Sequence, residues 1–268
     1  MIRPAGLALA GLWGAVIGAL GGLIGLGGAE FRLPVLVSVF RFATLEAIIL
    51  NKAMSLVTVA AALPFRAGTV PFGVIADHWP VIVNLLAGSL LGAWAGASWA
   101  TRLRVRALDR VIAILLIAIA AVLVFGHGHE GAGALVGAGP ARIFLGVGAG
   151  FVIGIVAALL GVAGGELLIP TLVILFGADI KLAGSLSLAI SLPTMLTAFA
   201  RYSRDGSFAV LGRNRGFVLV MAAGSVLGAF IGGRLLGIVP EAVLLPALAA
   251  ILATSALHML RRKGNGPA

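Results

Sequence analysis

Glu30 and Glu166 are the two acids whose setting could do chemistry. They stand at matching places in a cassette written twice: GLGGAEFRLP over 25–34 and GVAGGELLIP over 161–170, at a constant offset of 136 from Gly25 to Gly161. Each cassette ends a long apolar stretch. An ionisable residue at membrane depth marks a functional site by default. Two readings of the glutamates stay open. Either they carry a coupling proton, or they are helix-start carboxylates satisfied by backbone N–H groups, with Arg32 as a possible partner for Glu30. The doubled glycines Gly27–Gly28 and Gly164–Gly165 make a continuous helix costly, at about 1 kcal/mol each relative to alanine. Pro34 and Pro170 lack an N–H and suit the first turn of a new short helix. The cassette thus predicts helix, break, short helix. The free N–H groups and dipole at such a start suit an anion. Close packing through small residues is the competing reading of these glycines.

A second duplicated element is polar. LNKAMSLVT (50–58) matches LSLAISLPT (186–194) at the same offset. Asn51, Ser55 and Thr58 lie three and four residues apart and share one helix face. Ser187, Ser191 and Thr194 mirror them. An amide and hydroxyls can donate to an oxyanion, although hydroxyls in membrane helices also bond their own backbone or a neighbouring helix. Lys52 breaks the symmetry, because Leu188 takes its place. It is a candidate counter-charge for an anionic substrate, a partner for Glu30, or a snorkelling side chain.

Other chemistries find little support. There is no cysteine, so disulfides, thiol catalysis, iron–sulfur clusters and Cys-ligated zinc are excluded. His127 and His129 fall in a glycine-rich linker and read as solvated; no metal and no cofactor are expected. No serine or aspartate accompanies a histidine at membrane depth, so a hydrolase lacks its base. No GxxxxGK[ST] loop occurs, so the chain does not hydrolyse ATP itself. The expected protein is not an enzyme.

The elements that must position these residues follow from composition. Of 268 residues, 61% are hydrophobic and 10% charged, far from a soluble profile. A spanning helix needs ~20 apolar residues. The stretches 5–28, 44–64, 80–101, 107–126, 141–161, 182–200, 216–236 and 240–260 meet or approach that length, and shorter pieces, 33–42 and 168–178, follow the cassettes. The expectation is an all-α polytopic membrane protein with about eight transmembrane helices and two short broken or re-entrant ones. The net charge of +10 is spread over loops and reads as topology, with no nucleic-acid partner. Arg3 before an apolar run looks like a signal peptide, but that run belongs to the repeat and reads as the first span.

The offset of 136 also relates Gly14 and Gly18 to Gly150 and Gly154, and AGSLLGAWAG (87–96) to AGSVLGAFIG (223–232), without a gap. The chain therefore reads as two homologous repeats, 5–126 and 141–261, joined by a glycine-rich linker over 127–140. Basic residues gather on the cytoplasmic side of membrane proteins. If each repeat has odd parity, Arg3, Arg41, Arg102, Arg104, Arg106, Arg110, Arg201, Arg204, Arg213, Arg215, Arg261, Arg262 and Lys263 lie inside, and Arg66, Arg142, Lys181 and Arg234 outside. Parallel repeats give a near-even split. Inverted topology with both termini cytoplasmic is the expectation, a plan that secondary transporters reuse with the site at the repeat interface.

The paired glycine cassettes ending in Pro34 and Pro170, each followed by a span with an A-x-S-L core at 53–56 and 189–192, resemble the sulfite exporter TauE/SafE family over about residues 5–260. Ala53 and Met54 stand where glycine and threonine commonly precede the Ser-Leu pair, and Lys52 is unusual there. The resemblance implies a bacterial inner-membrane permease for small anions such as sulfite, sulfoacetate and related sulfonates, exporting them by a secondary mechanism. The expected binding residues are Gly27, Gly28, Asn51, Lys52, Ser55, Thr58, Gly164, Gly165, Ser187, Ser191 and Thr194, with Glu30 and Glu166 as proton-coupling candidates. The expected partners are the small anionic substrate and the lipid bilayer, and a homo-oligomer stays open. A passive anion channel and a non-transporting membrane module of a partner complex are the alternatives.

Overall fold

The structure is a computed structural model that describes residues 4–24, 28–66, 70–125, 137, 139–234, 250, 253, 254, 256 and 257. Its regular elements, among these residues, are all helical. They are α1 (Pro4–Ile24), α2 (Ala29–Ser38), α3 (Thr44–Arg66), α4 (Phe72–Asp77), α5 (Trp79–Ala100), α6 (Val105–Phe125), α7 (Pro140–Leu160), α8 (Gly165–Phe176), α9 (Ile180–Tyr202), α10 (Ala209–Arg213) and α11 (Arg215–Arg234), with a 3-10 turn, Gly206–Phe208, before α10. Among the described residues five helices are long and apolar enough to cross a membrane: Thr44–Ala61, Trp79–Ala100, Pro140–Leu160, Lys181–Tyr202 and Arg215–Gly232. Most of the 127–140 linker and of the stretch 240–260 lies outside the described residues, as does Gly27.

The helix breaks fall at the glycines. Gly28 and Gly164 precede α2 and α8 with φ of 70° and 84°, left-handed values that a side chain resists. The short helices begin immediately after them, so the prolines are not in the first turn as their chemistry suggested. Pro34 and Pro170 lie inside α2 and α8. The reason is local: once the left-handed glycine has turned the chain, the next residues are free to coil. Each proline then withholds the N–H that would bond the carbonyl four residues back, which is the carbonyl of Glu30 and of Glu166.

The two short helices also end alike. Phe42 N–H donates to the Leu36 carbonyl at 3.1 Å, and Ala178 N–H to the Leu172 carbonyl at 3.2 Å. Each bond reaches one residue further back than a Schellman bond, and such a closure needs a left-handed residue just before the donor. Gly177 fills that role with φ 69°, and Arg41 fills it with φ 58°.

Small residues set the packing. Gly88 and Gly92 of α5 lie directly on the backbone of Val147 and Phe151 in α7, while Gly14 and Gly18 of α1 lie on Met221 and Ser225 in α11. Gly150 on Leu85 and Gly154 on Ser89 are the α1–α11 pairs displaced by 136 in both partners. The numbers rise together across each seam, so α5 runs parallel to α7, and α1 to α11.

Two bonds extend this frame. Ser89 Oγ and Thr194 Oγ1 are 2.7 Å apart, and Arg201 Nε donates to Ser98 Oγ at 2.7 Å. Helix α9 therefore runs parallel to α5, and hence to α7. Two consecutive long helices can share a direction only because α8 carries the chain back between them. Helix α3 runs the opposite way to α9. Tyr202, at the end of α9, and Asn51, early in α3, both reach the C-terminal end of α7, whereas Met195 and Val59 meet in one apolar cluster further along. The main core gathers α2, the first half of α3 and the last turns of α7.

Candidate functional site

The broken end of α7 creates the first demand on the site. A helix end leaves carbonyls without N–H partners, and in an apolar setting the protein must satisfy them. Lys52 supplies its Nζ to the carbonyls of Ala157 and Val162, both at 2.7 Å. Asn51 Nδ2 donates to the carbonyls of Leu160 and Ala29, both at 2.9 Å. Tyr202 Oη donates to the Ala158 carbonyl at 3.0 Å. Helix α3 and the end of α9 thus close the break between α7 and α8. A cation here also complements the negative end of the α7 dipole. Lys52 is fully buried, so it does not snorkel, and its bonds run to carbonyls of the chain.

Arg32 makes the second demand. It sits on α2, fully buried. Its Nη1 donates to Asn51 Oδ1 and Ser55 Oγ, both at 3.2 Å, and its Nη2 to Ser225 Oγ at 3.1 Å. Helices α2, α3 and α11 meet at this one guanidinium. All three acceptors are neutral, and Nε has no hydrogen-bond partner among the described residues.

The expected site residues divide between these centres and the mirrored positions. Asn51 joins both, because its oxygen accepts from Arg32 while its nitrogen serves the break. Ser55 faces Arg32. Thr58 bonds back to the Met54 carbonyl at 3.0 Å, and Ser187 to the Gly184 carbonyl at 2.9 Å. Thr194 pairs with Ser89 across helices and also donates to the Ile190 carbonyl at 2.8 Å. Ser191 is buried with its hydroxyl oxygen unpartnered among the described residues. Gly28 and Gly164 form the two breaks, and Gly165, expected to share the second, opens α8 instead. Glu30 and Glu166 take the second position of α2 and α8. Oε1 of Glu30 and both carboxylate oxygens of Glu166 are buried without a hydrogen-bond partner among the described residues.

A family model for the sulfite exporter TauE/SafE matches residues 10–259. The chain belongs to the sulfite exporter TauE/SafE family. Its members are membrane transporters of the anion-exporter type and not enzymes. This TauE/SafE chain is accordingly a multi-pass membrane protein. Neither the curated proteins nor the solved structures contain a match.

Sequence reasoning passed over three polar residues of this TauE/SafE protein. Arg32 entered only as a partner for Glu30, yet it gathers three helices. Ser89 and Ser225 sat in a duplicated glycine stretch read as packing. Their signal was present: each is a hydroxyl kept at the same place in both copies, AGSLLG and AGSVLG. A hydroxyl kept within a small-residue stripe has a partner to meet, and here the partners are Thr194 and Arg32.

Proposed function

We propose that this protein is a secondary transporter that exports small organic or sulfur-containing anions, such as sulfite, sulfoacetate or related sulfonates, across the bacterial inner membrane. It works by alternating access between two inverted-topology repeats, 5–126 and 141–261, with both termini cytoplasmic. The observation that carries the reading is the buried polar seam between the repeats. There, Arg32 and Lys52 bring two basic side chains to α2 and α3, and both spend their bonds on neutral groups. The opposed directions of α3 and α9, and the parallel run of α5, α7 and α9, support the inverted plan.

In this mechanism the binding groups are Asn51, Lys52, Ser55, Thr58, Ser187, Ser191 and Thr194, with the cassette glycines Gly27, Gly28, Gly164 and Gly165. Glu30 and Glu166 are the proton carriers. The seam residues are buried, which fits a closed intermediate of a carrier better than an open pore. Family membership supports anion export as the class of activity.

Flux into proteoliposomes tests the reading. Radiolabelled sulfite or sulfoacetate should accumulate saturably, with counterflow, and respond to an imposed pH gradient. No flux of any tested anion under any gradient would sink it. Unsaturable flux without counterflow would replace the carrier with a channel.

A further inference from the structure

Arg32 offers more donors than its neighbours use. A guanidinium carries five N–H groups. Two on Nη1 are taken by Asn51 and Ser55, and one on Nη2 by Ser225. That leaves Nε–H, which is buried without a hydrogen-bond partner among the described residues, and one N–H on Nη2. Nε and Nη2 form one edge of the planar fork, the edge that binds two oxygens of one anion side by side.

The hydrogen-bonding shell of Arg32 is neutral. Moving a cation out of water is expensive unless an opposite charge compensates it. The acceptors around Arg32 are an amide and two hydroxyls. Among the described residues the salt bridge found is Arg213–Glu46, away from this centre. Lys52, on the same helix as Asn51 and Ser55, gives its Nζ to the Ala157 and Val162 carbonyls and does not compete for this edge. Glu30, two residues back on α2, interacts with Arg32 electrostatically but makes no salt bridge with it, so it leaves the free edge of the fork unfilled; its Oε1 has no hydrogen-bond partner among the described residues.

We propose that the Arg32 guanidinium is the docking point for one small oxyanion, a sulfite, sulfonate or carboxylate, held between the two halves of the chain by Asn51, Ser55 and Ser225. The proposal rests on the anion-transport reading and deepens it. The cradle is built once per chain. At the mirrored place Leu168 replaces the arginine, and Ser191, the mate of Ser55, keeps a hydroxyl without a partner among the described residues. Binding should therefore show one anion per chain. Two oxygens of one anion meet the two parallel N–H groups with separate straight bonds, which a single spherical ion cannot match, so chloride should compete poorly.

Equilibrium binding of sulfite to the purified full-length protein in lipid nanodiscs tests this. Wild type should bind with a stoichiometry of about one, and Arg32→Gln should bind about 10- to 100-fold more weakly, as expected for losing a charge-assisted pair. Arg32→Lys should fall between them, because a lysine keeps the charge but lacks the fork. A folded, monodisperse Arg32→Gln protein with wild-type affinity overturns the proposal. Should Arg32→Gln fail to fold, Ser55→Ala and Ser225→Ala carry the test. Each should weaken sulfite binding several-fold by loosening the fork, and unchanged affinity in both overturns the site. Flux separates the two readings. Arg32-dependent binding without flux in wild-type vesicles removes the transporter and keeps the site. Wild-type flux through folded Arg32→Gln removes the site and keeps the transporter.

Discussion

Arg32 and Ser225 are 193 positions apart in the sequence and 3.1 Å apart in space. The bond ties a short helix that follows one glycine break to the long helix that packs against α1. Its counterpart across the 136 offset is different in kind: Ser89, the mate of Ser225, bonds Thr194 at 2.7 Å. One side of the molecule has a cation where the other has a hydroxyl pair.

The Ser89–Thr194 contact should be measurable as a coupling. Single changes Ser89→Ala and Thr194→Val, and the double change, form a mutant cycle. The expected interaction is about 0.6–1.7 kcal/mol, the range for polar pairs between membrane helices. Denaturation in mild detergent reads it, and strict additivity would show that the two hydroxyls do not interact.

Glu166 sets function against stability. Both its oxygens are buried without a partner among the described residues, and leaving such a group unsatisfied costs about 1–3 kcal/mol. Glu166→Met should therefore raise the melting temperature while abolishing the response of flux to a pH gradient. A lower melting temperature would mean that the carboxylate is well satisfied in the native state.

Lys52→Met should do the opposite. It keeps the volume but leaves the carbonyls of Ala157 and Val162 without their donor. The expected loss is about 1–3 kcal/mol, seen as a lower melting temperature. Unchanged stability would free Lys52 from its role at the α7 break and leave it a role in transport alone.

Gly92→Ala should separate α5 from α7. A methyl group there would run into the Phe151 carbonyl, whereas one at Gly73 meets open space. Overpacking of this kind costs about 1–3 kcal/mol, so Gly92→Ala should unfold earlier and Gly73→Ala should not. Arg41→Gly tests the other use of glycine. Arg41 holds φ 58° where Gly177 holds 69°, and relieving it should stabilise by about 0.5–1 kcal/mol.

The inverted plan has a direct readout, because the chain lacks cysteine. Single cysteines at Arg104 and Ser203 should react with an impermeant thiol reagent only from the cytoplasmic side. Those at Gly73 and Ala141 should react only from the outside. All four positions are exposed. Labelling of Arg104→Cys from outside would return the repeats to a parallel arrangement.

Most of the helices were legible in the chain, since long apolar runs and glycine interruptions act locally. The predicted stretch 141–161 became Pro140–Leu160, and the break after it fell at the glycines. The helix start relative to Pro34 was not legible, because a left-handed glycine decided it rather than the proline. The roles of the polar residues were less legible still. Asn51 and Lys52 were marked by type and spacing as groups for a substrate. That they also close the end of α7 depends on a contact more than a hundred residues away, which no local pattern encodes. Arg32 gave no periodic signal, because α2 holds only it and Glu30 as charges in ten residues. By itself the sequence determined a helical chain with duplicated glycine cassettes and polar groups beside them, because hydropathy and backbone freedom are properties of short segments. Only the tertiary structure decided which carbonyls and hydroxyls those groups would meet, because a buried polar atom takes its partner from whatever the packing of distant helices brings within 3 Å or so.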